Sequence, residues 1–188
     1  MNIFRKIKNF TRYVERRMHN QIDIQALVEK GLVLGENVHF DHRVIIDKSH
    51  CWLITIGDDV TFAPRASILA HDASTKNHLG YTKVGRVNIG NKTFIGSDAI
   101  VLPGTTIGEN VIVAAGCVVS GNIPDGVVIA GNPAVEIFKT SDYLEKHKEK
   151  MKSRPVYPAK GFTFAGGITP ENKAKMRAEL TDDIGYVE

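Results

Sequence analysis

The stretch IGNKTFIGSDAIVLPGTTIGENVIVAAGCVV, Ile89 to Val119, decides the fold. An aliphatic residue returns at every sixth position: Ile89, Ile95, Val101, Ile107, Val113 and Val119. A helix repeats its apolar face about every 3.6 residues and a strand about every 2, so a period of six without drift fits neither. It fits short parallel strands stacked in coils, where each coil buries its inward face on the coils above and below. Gly90, Gly96 and Gly108 directly follow the aliphatic, and the small or branched Thr93, Ala99, Thr105, Val111 and Cys117 sit four positions after it. Gly90-Asn91 and Gly108-Glu109-Asn110 supply the residue types that tolerate positive φ at a sharp corner.

Outward from this stretch the phase breaks twice. Leu34, Phe40 and Ile46 keep the six-step, which then slips by ten to Ile56, Phe62 and Ile68, so about four residues around Ser49 to Leu53 bulge from a coil and carry His50 and Trp52. From Ile68 to Ile89 the repeat is interrupted again, between Ala70 and Val87, by a polar segment without periodicity. Loops projecting from a rigid scaffold are where function concentrates, and His71 stands at the root of this one.

The run from Ile89 to Ile137, with its repeat phase, the Leu102-Pro103-Gly104 corner, the Ile123-Pro124 break and the closing Ala130-Gly131-Asn132-Pro133-Ala134, resembles the hexapeptide-repeat acyltransferases. The likeness is greatest to the maltose and galactoside O-acetyltransferases and to polysaccharide-modifying members, and it covers roughly residues 32 to 138. It implies an all-β fold, a left-handed parallel β-helix solenoid of hexapeptide repeats with an N-terminal helix and a C-terminal helical tail. The hand comes from the resemblance alone, since parallel crossovers are right-handed in nearly all other folds. The expected organisation is an N-terminal basic helical arm (1–31), the repeat domain (32–138) and a helical tail (139–188).

The resemblance implies a transfer of an acetyl group from acetyl-CoA to a hydroxyl, with the active site between the subunits of a homotrimer and no metal. His71 is then the general base, and its residue type suits that chemistry, because a hydroxyl attacking a thioester must lose its proton and imidazole accepts one near neutral pH. Asp72 is the expected orienting carboxylate, although neighbours on a strand point to opposite faces. His78, in the same loop, is the rival base. The amide of Ser97, in Ile95-Gly96-Ser97, is the implied donor to the thioester oxygen. Gly96, Ser97, Ala115, Gly116, Ser120 and Lys139 are the expected acetyl-CoA contacts. Where the family carries Thr-Lys and a later Arg for the coenzyme phosphates, this chain has Ser120-Gly121 and Val135, which leaves Lys139, or Lys146 and Lys148, to replace them. Asp41, His42, Asp47 and Trp52 are the expected acceptor contacts, for a small-molecule or glycan acceptor, either as sugar-binding groups or as ordinary surface and packing residues.

Charge and composition restrict the other classes. The net charge of +3 is gathered at the flanks: six basic residues against one acidic in 1–17 and seven against three in 139–160, whereas 18–138 holds eight against twelve. A coil wall of that sign is no nucleic-acid footprint. Two cysteines, Cys51 and Cys117, form neither a disulfide framework nor a metal knuckle and are expected as reduced thiols in a cytoplasmic protein. No stretch has the roughly 18 apolar residues that span a bilayer, and the N-terminus lacks a signal-peptide core.

Residues 3–18 place Ile3, Ile7, Phe10, Val14 and Met18 on one helical face with Arg and Lys opposite, which serves either to cap the open end of the coils or to make peripheral contact with an anionic membrane. At the other end, helices are expected after Ser141 or Asp142 and from Thr169, with Phe162, Phe164 and Tyr186 packing the tail on the coil wall or, favoured by the resemblance, on a neighbouring subunit. Two other classes share the scaffold. A non-catalytic assembly protein would lack the loop histidine, and a γ-type carbonic anhydrase would need a histidine pair on a later coil, whereas residues 80–146 contain none.

Overall fold

The computed structural model describes residues 22–181 and 183–188; the amphipathic segment 3–18 lies outside them. Two compact units divide the chain, one ending at Thr140 and one spanning Ser141–Glu188. In the first, the chain visits three parallel sheets in turn. The first face holds Val33–Leu34, Ile54–Ile56, Val87–Ile89, Thr106–Ile107 and Asn122–Ile123; the second begins with His39–Phe40, Thr61–Phe62, Phe94–Ile95 and Ile112–Val113; the third holds Ile45–Ile46, Ser67–Ile68, Ile100–Val101 and Val118–Val119.

Register gives the cause of the six-step. Ile95 lies beside Val113, 18 positions on, so three hexads complete one circuit of the faces. All six hexad aliphatics are buried, and so are Thr93, Ala99, Thr105, Val111 and Cys117. Each aliphatic taken out of water contributes on the order of 1.5–3 kcal/mol. The buried threonines satisfy their hydroxyls on corner carbonyls, Thr93 on Gly108 at 3.0 Å and Thr105 on Leu102 at 2.7 Å. Both interruptions appear where the period slips. Ile46 pairs with Ile68, 22 positions on, and Ile68 with Val101, 33 positions on, so four and fifteen residues are extruded without disturbing the stack.

The corners use more than glycine. Arg43, Asp59, Arg65, Lys92, Asp98 and Asn110 all have positive φ, a conformation that costs a non-glycine residue about 1 kcal/mol or more. Hydrogen bonds between coils hold five of them: the N–H groups of Asp59, Arg65, Lys92, Asp98 and Asn110 donate to Glu36, His42, Asp58, Pro64 and Asn91. On the edge between the first and second faces a side-chain ladder is added. The N–H groups of Glu36, Asp58 and Glu109 donate to Oδ1 of Asp58, Asn91 and Asp125, each acceptor belonging to the following coil.

The coils end in a hairpin. Val127–Gly131 runs parallel to Ile112–Val113 and then pairs antiparallel with Ala134–Lys139 through a cis Asn132–Pro133 bond. Gly131-Asn132-Pro133 thus turns the chain, but the strand that follows it is absent from the periodicity. At the start, the helix Ile24–Glu29, within the stretch expected as a helical arm, sets Leu27 into the core.

The second unit carries most of the helix Thr140–Met151, together with the helix Pro170–Glu179, capped by the Thr169 hydroxyl. Tyr157 stacks on Phe162 at 4.9 Å and donates to Glu179, and Tyr186 shares a hydrogen bond with His147. Phe164 is 97% exposed in the single chain. Among the described residues no helix is long and apolar enough to cross a membrane.

Candidate active site

The two extrusions leave consecutive coils at the same edge, between the third and first faces, and this brings distant residues together. His71–Asp72 opens the longer excursion and pairs antiparallel with Lys83–Val84; between them lie a 3-10 turn, Ala73–Thr75, and a short helix, Lys76–Leu79, closed by Gly80 at positive φ. The segment read as an irregular loop is therefore a structured arm. The shorter bulge forms the 3-10 turn Cys51–Leu53, and buried Cys51 directs its thiol at the carbonyls of Leu27 and Lys30.

Asp47 sits beneath both. Its Oδ1 accepts from the N–H groups of Ser49 at 2.9 Å and His50 at 3.2 Å, its Oδ2 from Ala70 at 3.0 Å, and His71 Nδ1 makes a short hydrogen bond to the same Oδ2. Burial pushes the Asp47 carboxyl up, but the bonds from His71, Ala70 and Ser49 outweigh it and leave its pKa below the ordinary carboxylate value. An ionised carboxylate only accepts, so the proton of a neutral His71 ring resides on Nδ1 and the lone pair on Nε2. The imidazole is thus held in one orientation by a side chain only 1% exposed, while its own side chain is 35% exposed.

This corrects two expectations. Asp47 is closed to an acceptor and serves His71 instead. Asp72 points away, caps the Ser74 N–H at 2.8 Å and pairs with Lys83 at 2.6 Å. The Lys83 contact, followed by Ser74, holds the Asp72 pKa down at about 2. Strand alternation sends the two neighbours, His71 and Asp72, to opposite sides. The His50 ring lies 5.0 Å from that of His71 and 5.3 Å from that of Trp52, and its buried Nδ1 has no hydrogen-bond partner among the described residues. Trp52 is 54% exposed, so it forms an outer lip rather than core. His78 is exposed on the arm's helical turn.

The remaining candidates separate by edge. Gly96, Ser97, Ala115 and Gly116 stack at the edge between the second and third faces, where Gly116 donates to the Ser97 carbonyl at 2.8 Å. The Ser97 and Ala115 N–H groups take no part in the backbone hydrogen bonds among the described residues, so this edge offers donors that the Asp and Asn ladder occupies at its counterpart. Asp41 and His42 belong to the same edge, 2.6 Å apart and lining an open depression with Ile22, Ile24 and Phe40. Ser97 leads into Ile100–Val101, whereas His71 follows the paired strand Ser67–Ile68, so they stand a whole face apart. At about 3.3 Å per residue that is roughly 15 Å, and a single chain does not bring them together. Ser120 lies on the His71 edge, and Lys139 ends the terminal strand, 2.7 Å from Glu136.

Three parallel faces on an 18-residue circuit, with a carboxylate-backed histidine at one edge, define a repeat-coil scaffold that carries a histidine–carboxylate pair. Residues 86–121 match the profile described as bacterial transferase hexapeptide (six repeats). Protein CapG of Staphylococcus aureus is 39% identical over 60% of this chain and 71% of its own length. The galactoside O-acetyltransferase of Escherichia coli K12 is 34% identical over 60% of this chain, which spans 59% of that relative's length. A solved galactoside acetyltransferase in complex with coenzyme A superposes with a TM-score of 0.51 at 26% identity, covering 64% of this chain and 71% of that one. The chain belongs to the bacterial transferase hexapeptide family.

Proposed function

We propose that the chain is an acetyl-CoA-dependent O-acetyltransferase acting on a sugar hydroxyl, in a surface glycan or its precursor. The observation that carries this reading is the orientation of His71 by buried Asp47. The acceptor hydroxyl attacks the thioester carbonyl directly while its proton passes to His71 Nε2. The tetrahedral oxyanion is met by an unpaired backbone N–H, that of Ser97. Collapse of the intermediate expels the coenzyme thiolate, which takes the proton back from His71, and leaves the acetyl ester. The complex of the solved galactoside acetyltransferase with coenzyme A supports the donor.

Because His71 and Ser97 occupy opposite edges of one face, this reading requires a second copy to supply Ser97 to His71, as in a trimer with sites between subunits. Left-handed winding of the coils as a solenoid belongs to the same reading and rests on family membership, as does the arrangement into arm, repeat domain and tail. Asp41 and His42, on the Ser97 edge, then face the acceptor from the neighbouring copy, and Trp52 from the His71 side. Lys139 is the cation proposed for the coenzyme phosphates; its pairing with Glu136 is exposed and weak enough to yield. A cytoplasmic setting follows from the donor.

The test is turnover of acetyl-CoA, followed by thiol release against a panel of mono- and oligosaccharides. His71→Ala is expected to lose about 10²- to 10⁴-fold. Undiminished turnover in that variant, with loss in His78→Ala instead, would transfer the role to the rival histidine.

A further inference from the structure

Asp47, His50 and His71 each bring one donor atom to within 4.8 Å of the other two. Two imidazoles and a carboxylate are the donor types that zinc takes, at about 2.0–2.2 Å each. They come from three separate backbone positions held by the coil edge. The second observation is the His50 Nδ1, buried and without a hydrogen-bond partner among the described residues. A buried nitrogen left unsatisfied costs about 1–3 kcal/mol, so a group that satisfies it is favoured. The four-residue bulge exists as a departure from the repeat, and its effect is to hold this imidazole over that of His71.

The geometry points to a divalent-cation site, with zinc the best-matched ion, built from Asp47, His50 and His71 and acting as an inhibitory switch. The gap between Asp47 Oδ2 and His71 Nδ1 is now closed by a proton. Ligands sharing one zinc stand roughly 3.3 Å apart by the bond lengths above, so ion and proton compete for that gap. When the ion takes His71 Nδ1, the proton of the neutral ring moves to Nε2 and none is released. The nitrogen that would accept the hydroxyl proton is then already protonated. Zinc binding and base catalysis are mutually exclusive at His71, a consequence that rests on the proposed role of His71, whereas the binding itself does not.

The full-length protein, stripped with chelator, is titrated with zinc chloride in competition with a chromophoric chelator. One zinc per chain is expected, weakened more than about 10-fold in His50→Ala and in His50→Gln, with His78→Ala retaining it. Cobalt(II) loaded in its place should show a visible band of four-coordinate intensity in the wild type that is lost in both His50 variants. Absence of stoichiometric binding to folded protein, or binding that is indifferent to His50, overturns the site. Zinc should also suppress thiol release in the metal-free enzyme; binding at His50 without suppression overturns the switch. If the metal-free enzyme acetylates nothing, that failure belongs to the proposed function, and the titration and cobalt spectrum still decide the site.

Discussion

Replacing Asp47 with Asn removes a charge from the most enclosed polar position at the His71 edge. The carboxylate accepts two hydrogen bonds on each oxygen, from Ser49 and His50 on one and from Ala70 and His71 on the other. Asn keeps one oxygen and turns an NH₂ group toward the other pair of donors, so two charge-assisted bonds are lost and two donors are left facing a donor. At about 1.5–3 kcal/mol for each such bond, the variant should lose roughly 3–6 kcal/mol, undiscounted because the side chain is 1% exposed. Urea unfolding followed by tryptophan fluorescence suits the measurement, because Trp52 is the sole tryptophan and lies 5.3 Å from the His50 ring. The folded Asp47 pKa lies below its unfolded value near 3.8, so its contribution is complete above that pH and is lost as pH falls through the folded pKa. The gap between wild type and variant should therefore be full at neutral pH and close under acid. Turnover should fall about 10²- to 10⁴-fold, since the imidazole no longer has its tautomer fixed. A loss below about 1 kcal/mol at neutral pH, or a gap that widens in acid, would refute this account of Asp47.

Two further outcomes follow from close contacts elsewhere. Gly96→Ala places a Cβ 2.6 Å from the Ala115 nitrogen and 2.7 Å from the Val113 carbonyl oxygen, both backbone, and should cost about 1–3 kcal/mol in a thermal melt. The Asp72 pKa of about 2, set first by Lys83, makes the arm acid-sensitive: its ion pair is intact above the unfolded carboxylate pKa and disappears as pH falls through about 2. Hydrogen exchange across residues 73–83 should accelerate over that range, and Lys83→Met should bring the acceleration to neutral pH.

The repeat made the three faces legible because inward residues obey a period that local sequence carries. The aliphatics from Ile89 to Val119 and the companion positions from Thr93 to Cys117 needed no long-range information. Both extrusions were visible as slips in that count. The pairing of Asp47 with His71 was within reach: the count that sets Ile46 beside Ile68 sets Asp47 beside Leu69 and close to His71. What it could not give was the direction of the Asp47 side chain, which leaves the inward row and is fixed by three backbone N–H groups at a corner. Asp72 was the nearer candidate in sequence, and strand alternation removed it. The helix Ile24–Glu29 and the strand Ala134–Lys139 lie outside the six-step, so they had no periodic signal. The second unit was legible at the start of the helix Pro170–Glu179, where Thr169 and Pro170 carry local capping chemistry, whereas the earlier helix begins at Thr140, ahead of the Ser141 or Asp142 cap that its sequence suggested.

The ladder on the edge between the first and second faces gives the stack a direction. Glu36 depends on Asp58, Asp58 on Asn91, and Glu109 on Asp125, so a corner on one coil is finished only by the chain that comes after it. During synthesis, each of these turns waits with an unanswered amide until the next circuit is laid down. A chain cut within the repeats would leave its last corner in that waiting state and would loosen from the cut end backward, whereas a cut before Val33 removes no acceptor from the ladder.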